Sequence, residues 1–308
     1  EAGRHARATA TNDRRTGLDD EGRDVVVSFT IATTVDEALV ALGAGARPIA
    51  GGTDLVVGAR HGKAALPADL VAIDRIGELG GVELDSAGVR VGALMSHAEL
   101  MTDPVIVGSY TAIADASALV GSPSTRHVGT LGGNVMNGSP AMDTGAPLTV
   151  LGAAAELRSV NGSRTVALDE LWAGPGRTTA DPGELLVALH LPPAQDRCGS
   201  AYVRLEYRRA MEIAVVGAAA AVTLAADGTI ASAAVALAAV APTILSVDGV
   251  DEALVGCVPA DAGPVAAALA SEQAAPISDL RASDRYRRHC IGVMAKRCLL
   301  YTSDAADE

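Results

Sequence analysis

Aromatic side chains are scarce in this chain of 308 residues: phenylalanine, tryptophan and tyrosine together make up 2% of it. Hydrophobic residues nonetheless reach 49%, so the core must consist mainly of alanine, valine, leucine and isoleucine. Few rings are therefore available to stack on a flat ligand. The length exceeds that of one typical small domain and suits about two domains.

Basic residues are also few, because 24 lysines and arginines stand against 37 acidic residues and the net charge is −13. Neutralising phosphates requires clustered basic side chains, so this balance argues against nucleic-acid binding. The sequence has no run of about 18 apolar residues, which argues against a membrane span. The beginning lacks the order of basic, apolar and small residues found in signal peptides, so we expect a cytoplasmic protein.

Metal-ligand spacings are absent as well. The four cysteines, Cys198, Cys257, Cys290 and Cys298, form no C-x-x-C pair. The six histidines show no spacing typical of a ligand set. The sequence therefore predicts neither an iron–sulfur cluster nor another metal in this chain.

The two ends differ in composition from the rest. Residues 1–28 form a polar leader of mixed charge, which we expect to be disordered. Residues 298–308 resemble translated read-through of a sequencing adapter, so we expect them not to be natural sequence. A shift in composition at 193–199 indicates a linker between two units.

Local patterns predict alternating helices and strands. Thr34 and Glu37 have the spacing of a capping box that begins a helix, and Gly43 and Gly45 end it. Residues 121–137 predict a long functional loop without a regular period. The Asn161-Gly162 pair predicts a hairpin turn. Other predicted strands cover 47–50, 69–73, 89–91, 185–191, 202–207, 214–225 and 230–240, and a basic amphipathic helix over 283–296 closes the chain with Tyr286, Ile291 and Met294 on its buried side.

The first glycine pair, Gly51-Gly52, follows a predicted strand. Consecutive amides without Cβ atoms nearby can bind a diphosphate as an anion-binding nest. Thr53 adds a hydroxyl donor, and we expect the Asp54 carboxylate to bond back to the loop. Taken on its own, such a tetrapeptide is more often an ordinary structural turn, and the G-x-G-x-x-G fingerprint is absent.

The second glycine pair, Gly132-Gly133, lies in a richer motif. Asn134, Asn137 and Ser139 offer side-chain donors, and Asp143 offers an acceptor suited to a ribose hydroxyl. A polar surface loop is the alternative interpretation, but interleaved apolar residues such as Leu131 and Val135 favour a buried loop. Buried amides need partners, which a bound diphosphate would supply.

These motifs resemble one known family. Ala50-Gly-Gly-Thr-Asp-Leu55, then Gly121-Ser-Pro, Arg126-x-x-Gly-Thr-Leu-Gly-Gly-Asn134 and Asn137-x-Ser-Pro-x-x-Asp143, resemble the FAD-binding medium subunits of molybdenum hydroxylases, such as those of xanthine dehydrogenase and carbon monoxide dehydrogenase. The resemblance runs from about residue 29 to 297 and includes Val91-Gly-Ala-x-x-x-His97, Tyr207-Arg-Arg-x-x-x-Ile213 and Ser283-x-x-Tyr286-Arg-Arg-His289. It implies an α+β fold: a vanillyl-alcohol-oxidase (PCMH)-type FAD-binding domain of two α+β subdomains over 29–194, then a small α+β C-terminal domain over 199–297.

The resemblance also implies site residues. The diphosphate would lie on Gly51, Gly52, Thr53, Gly132, Gly133 and Asn134. Asp143 would hold the ribose or ribityl part, Val120 and Gly121 would lie near the isoalloxazine, and Leu186 and Arg204 would lie at its edge. The expected cofactor-binding set is completed by Ile49, Ala50, Asp54, Leu55, Gly129, Thr130 and Asn137. The family's xanthine dehydrogenases have an aromatic ring where this chain has Val120.

The resemblance further implies a division of labour. A molybdenum cofactor would lie on a large partner subunit, [2Fe–2S] clusters would lie on a small partner subunit, and FAD here would pass electrons to NAD+ or another acceptor. Because no histidine lies within 51–55, we expect non-covalent FAD. Two alternatives remain: a self-sufficient flavin reductase of the UDP-N-acetylenolpyruvoylglucosamine reductase type, and an acidic scaffold without a cofactor.

Overall fold

Three parallel strands form the centre of the first subdomain. The computed structural model describes residues 12–18, 24–208 and 210–307. The elements are β1 (Asn12–Leu18), β2 (Asp24–Ile31), α1 (Val35–Gly43), β3 (Arg47–Ile49), α2 (Leu55–Arg60) and β4 (Asp69–Ala72). The sheet has the order β1-β2-β4-β3, in which β2, β4 and β3 run parallel and β1 pairs antiparallel with β2. The parallel strands therefore end at one common edge.

Helix α1 begins at a capped threonine. The Thr34 side chain accepts a hydrogen bond from the Glu37 amide at 3.2 Å. The Glu37 carboxylate accepts from the amide of Thr33 rather than from that of Thr34, so the reciprocal half of a capping box is shifted by one residue. The helix buries Val35 and Leu39 against the sheet.

The leader differs from its prediction. Residues 12–18 form β1, paired with β2, and β2 begins at Asp24, inside the segment for which disorder was predicted. The β-branched run Val25-Val26-Val27 favours a strand, and pairing with β1 satisfies its backbone, so the polar composition was a poor guide here. The remainder of the predicted leader, residues 1–11 and 19–23, lies outside the described residues.

An antiparallel sheet of five strands forms the second subdomain, in the order β5-β6-β11-β7-β8. Its strands are β5 (Val82–Asp85), β6 (Gly88–Gly92), β7 (Ala154–Ser159), β8 (Gly162–Ala167) and β11 (Leu185–Leu191). A two-stranded ribbon, β9 (Trp172–Gly174) and β10 (Arg177–Thr178), lies beside it. The associated helices are α3 (His97–Leu100), α4 (Pro104–Ser109), α5 (Thr111–Leu119), α6 (Pro123–Val128), α7 (Leu131–Asn137), α8 (Gly145–Val150) and α9 (Leu168–Leu171).

The irregular loop predicted over 121–137 is wrong, because α6 and α7 occupy most of it. The Ser122 side chain accepts from the Thr125 amide at 3.2 Å and caps α6. Thr130 caps α7 in the same way through the Gly133 amide. Both helices have only six or seven residues, and the two glycines of α7 lower its helix propensity. Side-chain caps and tertiary contacts stabilise such short helices.

A third sheet forms the C-terminal unit and is covered on both faces. Its strands are β12 (Cys198–Leu205), β13 (Val216–Leu224), β14 (Ile230–Ala238) and β15 (Leu245–Ser246), and its helices are α10 (Val250–Leu254), α11 (Pro259–Gln273) and α12 (Asp284–Asp307). Ala218 and Ala220 pack into the core beneath α11 and α12, while the intervening Ala219 packs into the core of the second subdomain. Because successive side chains of a strand point to opposite faces, this one sheet contributes to the cores of both units.

Helix α12 departs from the prediction in two ways. It continues to Asp307, and Cys298 within it is fully buried, so part of the predicted tail packs on the C-terminal sheet. Ile291 and Met294 are buried as expected, but Tyr286 is 45% exposed. None of the described helices is both long enough and apolar enough to cross a bilayer.

Candidate functional site

A cleft lies at the common edge where the parallel strands end. Ala50 and Gly51 follow β3, and Asp74 follows β4. In open sheets, ligands bind outside the carboxyl ends of such strands. The cleft has a volume of about 430 Å³. Its lining residues are Ala50, Gly51, Asp74, Leu94, Ser96, Glu99, His127, Val128 and Thr130.

The first glycine loop presents free backbone donors. Within the described part of the chain, the amides of Gly51, Gly52, Thr53 and Asp54 donate no hydrogen bond. Gly52 has φ of +66°, which L side chains rarely adopt. Successive amides turned by a left-handed residue form a concave site for an anion. Asp54 is exposed and makes no side-chain capping bond, so the expected bond back to the loop is not formed.

The two glycine-rich loops touch each other. A Cβ placed on Gly51 would lie 1.8 Å from the carbonyl oxygen of Val128, so only glycine permits this approach. A Cβ placed on Gly129 would lie 3.4 Å from the Thr53 hydroxyl. The second loop is held in turn by the strand end before α3, because the His97 amide donates to the Gly129 carbonyl at 3.1 Å. The structure thus brings residues 51–53 and 128–129 to one place.

The second glycine pair is engaged within the protein. The Gly132 amide donates to the Ala93 carbonyl at 2.9 Å, and the Gly133 amide donates to the Thr130 hydroxyl at 3.1 Å. A Cβ on Gly132 would lie 2.7 Å from the Ala93 Cβ, so packing explains this glycine. Asn134 accepts from the Thr144 hydroxyl at 2.6 Å. Of the four predicted site residues in this segment, Gly133 and Asn137 are exposed, Asn134 is partly buried and Gly132 is buried.

Thr130 links the cleft to α7, and its cap is testable. We expect Thr130→Val to lower the free energy of unfolding by about 1 kcal/mol, because the Gly133 amide loses its acceptor. Thr130→Ser keeps the hydroxyl and should remain within about 0.5 kcal/mol of the wild type. Urea unfolding followed by circular dichroism measures both. A loss for serine with none for valine, which keeps a methyl group, would show that the methyl group, and not the cap, stabilises the helix.

Asp143 lies in a buried polar network instead of the cleft. Its two carboxylate oxygens accept from the Tyr202 hydroxyl and from Nη1 of Arg204, each at 2.8 Å. Burial raises the pKa of Asp143 to about 6, although the Arg204 charge opposes this rise. The Arg204 side chain is 0% exposed and also donates to the Leu119 carbonyl at 3.1 Å and through Nε to Glu206 at 2.7 Å. The network joins the second subdomain to the C-terminal unit.

The residues expected near a flavin ring lie in different surroundings. Leu186 is 3% exposed and packs in the core of the second subdomain. Val120 is partly exposed, and its carbonyl accepts from Arg126 at 3.1 Å. Gly121 has φ of +52°, and its carbonyl accepts from the Met211 amide at 3.2 Å. Val120 and Gly121 therefore form the turn that meets the segment after β12.

Three acidic or polar cleft residues were missed by sequence reasoning. Ser96 and Glu99 form the capping box of α3, in which Glu99 accepts from the Ser96 amide at 2.8 Å. Asp74 is exposed at the end of β4. Its position directly after the predicted strand over 69–73 was the available signal, because acidic side chains at the ends of parallel strands bind ribose hydroxyls in dinucleotide sites.

His97 is buried beside the cleft and carries no charge. It is 1% exposed, and burial together with the Arg126 charge lowers its pKa to about 4, so the ring is neutral at pH 7. Its Nδ1 has no hydrogen-bond partner in the part of the chain that the structure describes. Within the described ranges, no group of three or more His, Cys, Asp or Glu side chains could hold a metal ion.

Comparison with known families assigns both units of the chain. Residues 25–194 match the family described as the FAD binding domain in molybdopterin dehydrogenase. Residues 201–302 match the family described as the CO dehydrogenase flavoprotein C-terminal domain. The fold and the cleft thus define a flavin-binding subunit of an oxidoreductase, and the predicted α+β fold of the PCMH type is confirmed.

Individual relatives agree along most of their length. The carbon monoxide dehydrogenase medium chain of Afipia carboxidovorans is 35% identical over 262 residues, which cover 85% of this chain and 90% of the relative. The xanthine dehydrogenase FAD-binding subunit of Escherichia coli is 30% identical over 278 residues, covering 88% and 94%. A solved carbon monoxide dehydrogenase from Hydrogenophaga pseudoflava superposes with a TM-score of 0.85 at 30% identity, covering 90% of this chain and 97% of that one.

The chain therefore belongs to the FAD-binding medium subunits of the molybdenum hydroxylase family, as its motifs predicted. FAD is its cofactor. The donor set fits the diphosphate of FAD, since four successive free amides begin at Gly51, which lines the cleft, and a Cβ at Gly51 would block the contact between the loops.

Proposed function

We propose that the amides of residues 51–54 bind the diphosphate of a non-covalent FAD. Their lack of any partner among the described residues is the observation that carries this proposal. Buried amides are nearly always hydrogen-bonded, and a diphosphate that covers these four would supply their acceptor. Thr53 supplies a hydroxyl, and Ile49, Ala50 and Leu55 hold the loop in place on either side.

The second glycine-rich loop, residues 129–134, mainly borders the diphosphate site and supplies few donors to it. Gly129 and Thr130 approach the first loop, while Gly132, Gly133 and Asn134 set the direction of α7 through their internal bonds. Asp74 is the acceptor that fits a ribose hydroxyl, because it is exposed in the cleft, whereas both oxygens of Asp143 are already engaged. Val120 and Gly121 flank the isoalloxazine, and Arg204 holds the turn that they form.

The subunit serves as an electron relay. FAD, when bound, supplies chemistry that collects single electrons from iron–sulfur clusters and delivers them in pairs to NAD+ or another acceptor. The matching relatives are subunits of dehydrogenases, which supports a large molybdenum-cofactor subunit and a small [2Fe–2S] subunit as partners. This chain's own residues position the flavin and exclude water from it. Cytoplasmic location stays a prediction.

We further propose that the units divide at 29–194 and 199–297, and that residues 298–308 are not natural sequence, whatever their packing. The family matches over 25–194 and 201–302 support the division. They also favour a relay subunit over a self-sufficient flavin reductase, since they account for both units of the chain. Steady reduction of flavin by NADPH in the isolated chain, with turnover of a small substrate, would instead favour the reductase.

We expect FAD to leave the protein on mild denaturation, because no histidine in 51–55 offers a covalent link. After acid precipitation of the purified chain, the absorption and fluorescence of flavin should appear in the supernatant, and mass spectrometry should identify FAD there. Yellow colour that stays with the precipitated polypeptide would contradict non-covalent binding. A colourless wild-type protein that takes up no added FAD would contradict the function itself.

A further inference from the structure

Arg126 is a half-buried cation to which no described residue offers a carboxylate. It lies in the last turn of α6. Every other arginine that the structure describes as buried or half-buried pairs with an acid: Arg90 with Glu83, Arg158 with Glu156, Arg204 with Asp143, and both Arg281 and Arg287 with Asp279. Charges that leave bulk water are normally paired. An anion bound beside α6 would supply the partner that Arg126 lacks among the described residues.

The Arg126 side chain also has hydrogen-bond donors to spare. Its Nη1 donates to the Val120 carbonyl at 3.1 Å, and the guanidinium bears further N–H groups that find no acceptor in the described part of the chain. His97 does not compete for an anion there, because burial and the Arg126 charge lower its pKa to about 4 and leave its ring neutral at pH 7. The free donors and the charge therefore belong to Arg126 alone.

Helix α6 separates the diphosphate site from the Arg126 side chain. Arg126 and Val128 lie two positions apart, which places their side chains about 200° apart around the helix axis. Val128 faces the first glycine loop, because a Cβ on Gly51 would lie 3.1 Å from Cγ1 of Val128. Arg126 instead reaches Val120, in the turn that we assign to the isoalloxazine. The guanidinium is therefore placed for the ring of the flavin rather than for its diphosphate.

We propose that Arg126 is the cation that stabilises the reduced ring of the bound flavin and so raises its reduction potential. Full reduction adds two electrons and one proton, which N5 takes, and leaves one negative charge shared by N1 and the C2 carbonyl oxygen. Charge near these atoms is one of the means by which a protein tunes a flavin. A guanidinium beside the ring stabilises the reduced anion, whereas the oxidised ring is neutral. This inference rests on the proposed function, because it describes how the same site sets the potential of its flavin.

The test measures the midpoint potential of FAD in the purified full chain, while dithionite reduces it in steps beside a dye of known potential. We expect Arg126→Gln to lower the potential by at least about 30 mV, which is a tenfold loss of affinity for reduced FAD relative to oxidised FAD in a two-electron couple. Arg126→Lys keeps the positive charge and should retain most of the wild-type potential. Fluorescence titration of the apoprotein should show little change in affinity for oxidised FAD, because the oxidised ring is neutral.

The matched control is Arg60→Gln. Arg60 also lies in the last turn of a six-residue helix, α2, but it is exposed. Its replacement removes the same charge without a change at Val120, so the potential should stay at the wild-type value. The apoprotein of Arg126→Gln should unfold at the wild-type midpoint in urea, because none of the described carboxylates loses a partner.

The outcomes separate this proposal from that of the diphosphate site. A lower potential in Arg126→Gln alone supports the role of the charge. An unchanged potential in that variant overturns it, as does an equal fall in Arg126→Lys or in Arg60→Gln. Equal weakening of oxidised and reduced FAD also overturns it, because Arg126 would then bind the diphosphate. Wild-type protein that takes up no FAD would refute the proposed function, and this inference with it.

Discussion

Gly51→Ala is expected to reduce FAD affinity by about tenfold to a hundredfold. The new Cβ would lie 1.8 Å from the Val128 carbonyl oxygen and 2.6 Å from its carbon, and both neighbours are backbone atoms that no rotamer change can move. The two loops must therefore separate. Overpacking of this kind costs about 1–3 kcal/mol. Each 1.4 kcal/mol lost from the free energy of binding lowers the affinity about tenfold.

Titration of the apoprotein with FAD, followed by quenching of flavin fluorescence, measures this loss. The matched control is Gly58→Ala, because a Cβ at Gly58 in α2 meets nothing within 4 Å. Alanine there should leave FAD affinity unchanged and stabilise the helix by about 0.5–1 kcal/mol. If Gly51→Ala binds FAD as tightly as Gly58→Ala does, the contact between the loops is not what shapes the site.

Arg204→Met is expected to be the most destabilising single change in the polar network, lowering the free energy of unfolding by about 3–5 kcal/mol. The Arg204 side chain is 0% exposed and pairs with Asp143 and Glu206. Methionine keeps much of the side chain's volume but leaves two carboxylates buried without a counter-charge. Removing one partner of a buried ion pair has effects of this size. Urea unfolding at pH 7 gives the value.

The control is Arg164→Met. Arg164 also forms a two-pronged pair, with Glu184 at 2.7 and 2.8 Å, but its side chain is 43% exposed. Exposed pairs contribute about 0–1 kcal/mol, so this change should have a small effect. Comparable losses in the two variants would mean that burial does not determine how much the Arg204 network contributes to the free energy of unfolding.

The pH dependence of the Arg204→Met variant follows from Asp143. Burial already raises the pKa of Asp143 to about 6 in the wild type, and the arginine charge opposes that rise. Without the arginine, the carboxyl binds its proton more tightly in the folded state than in the unfolded state. The defect of the variant should therefore shrink as pH falls from 7 through 6 toward 4, and its full size should appear only above the folded pKa.

Much of the fold was predictable because it depends on local pattern. The strand over 185–191 was found from its hydrophobic pattern, and the helix that begins after Thr34 was found from its cap. The two short helices within 121–137 were not, because they have only six and seven residues and their caps are single side chains whose partners become visible only in the folded chain.

The site was predictable in part for the same reason. Gly51-Gly52 could be identified from sequence, since glycine after a strand signals a close approach. The orientation of the amides at Gly132 and Gly133 could not, because their acceptors come from Ala93 and Thr130. Asp143 has the chemistry of a ribose acceptor, but only the position of Arg204, sixty-one residues later, shows where its oxygens are engaged.

The amino-acid sequence by itself determined the family, the cofactor and the positions where the backbone requires glycine, because short motifs and turn chemistry are local properties of the chain. The tertiary structure decided which amides stay free, which carboxylates are neutralised inside the protein and which arginines remain on the surface. Those outcomes depend on partners far away in sequence, whose contacts exist only once the sheets have packed.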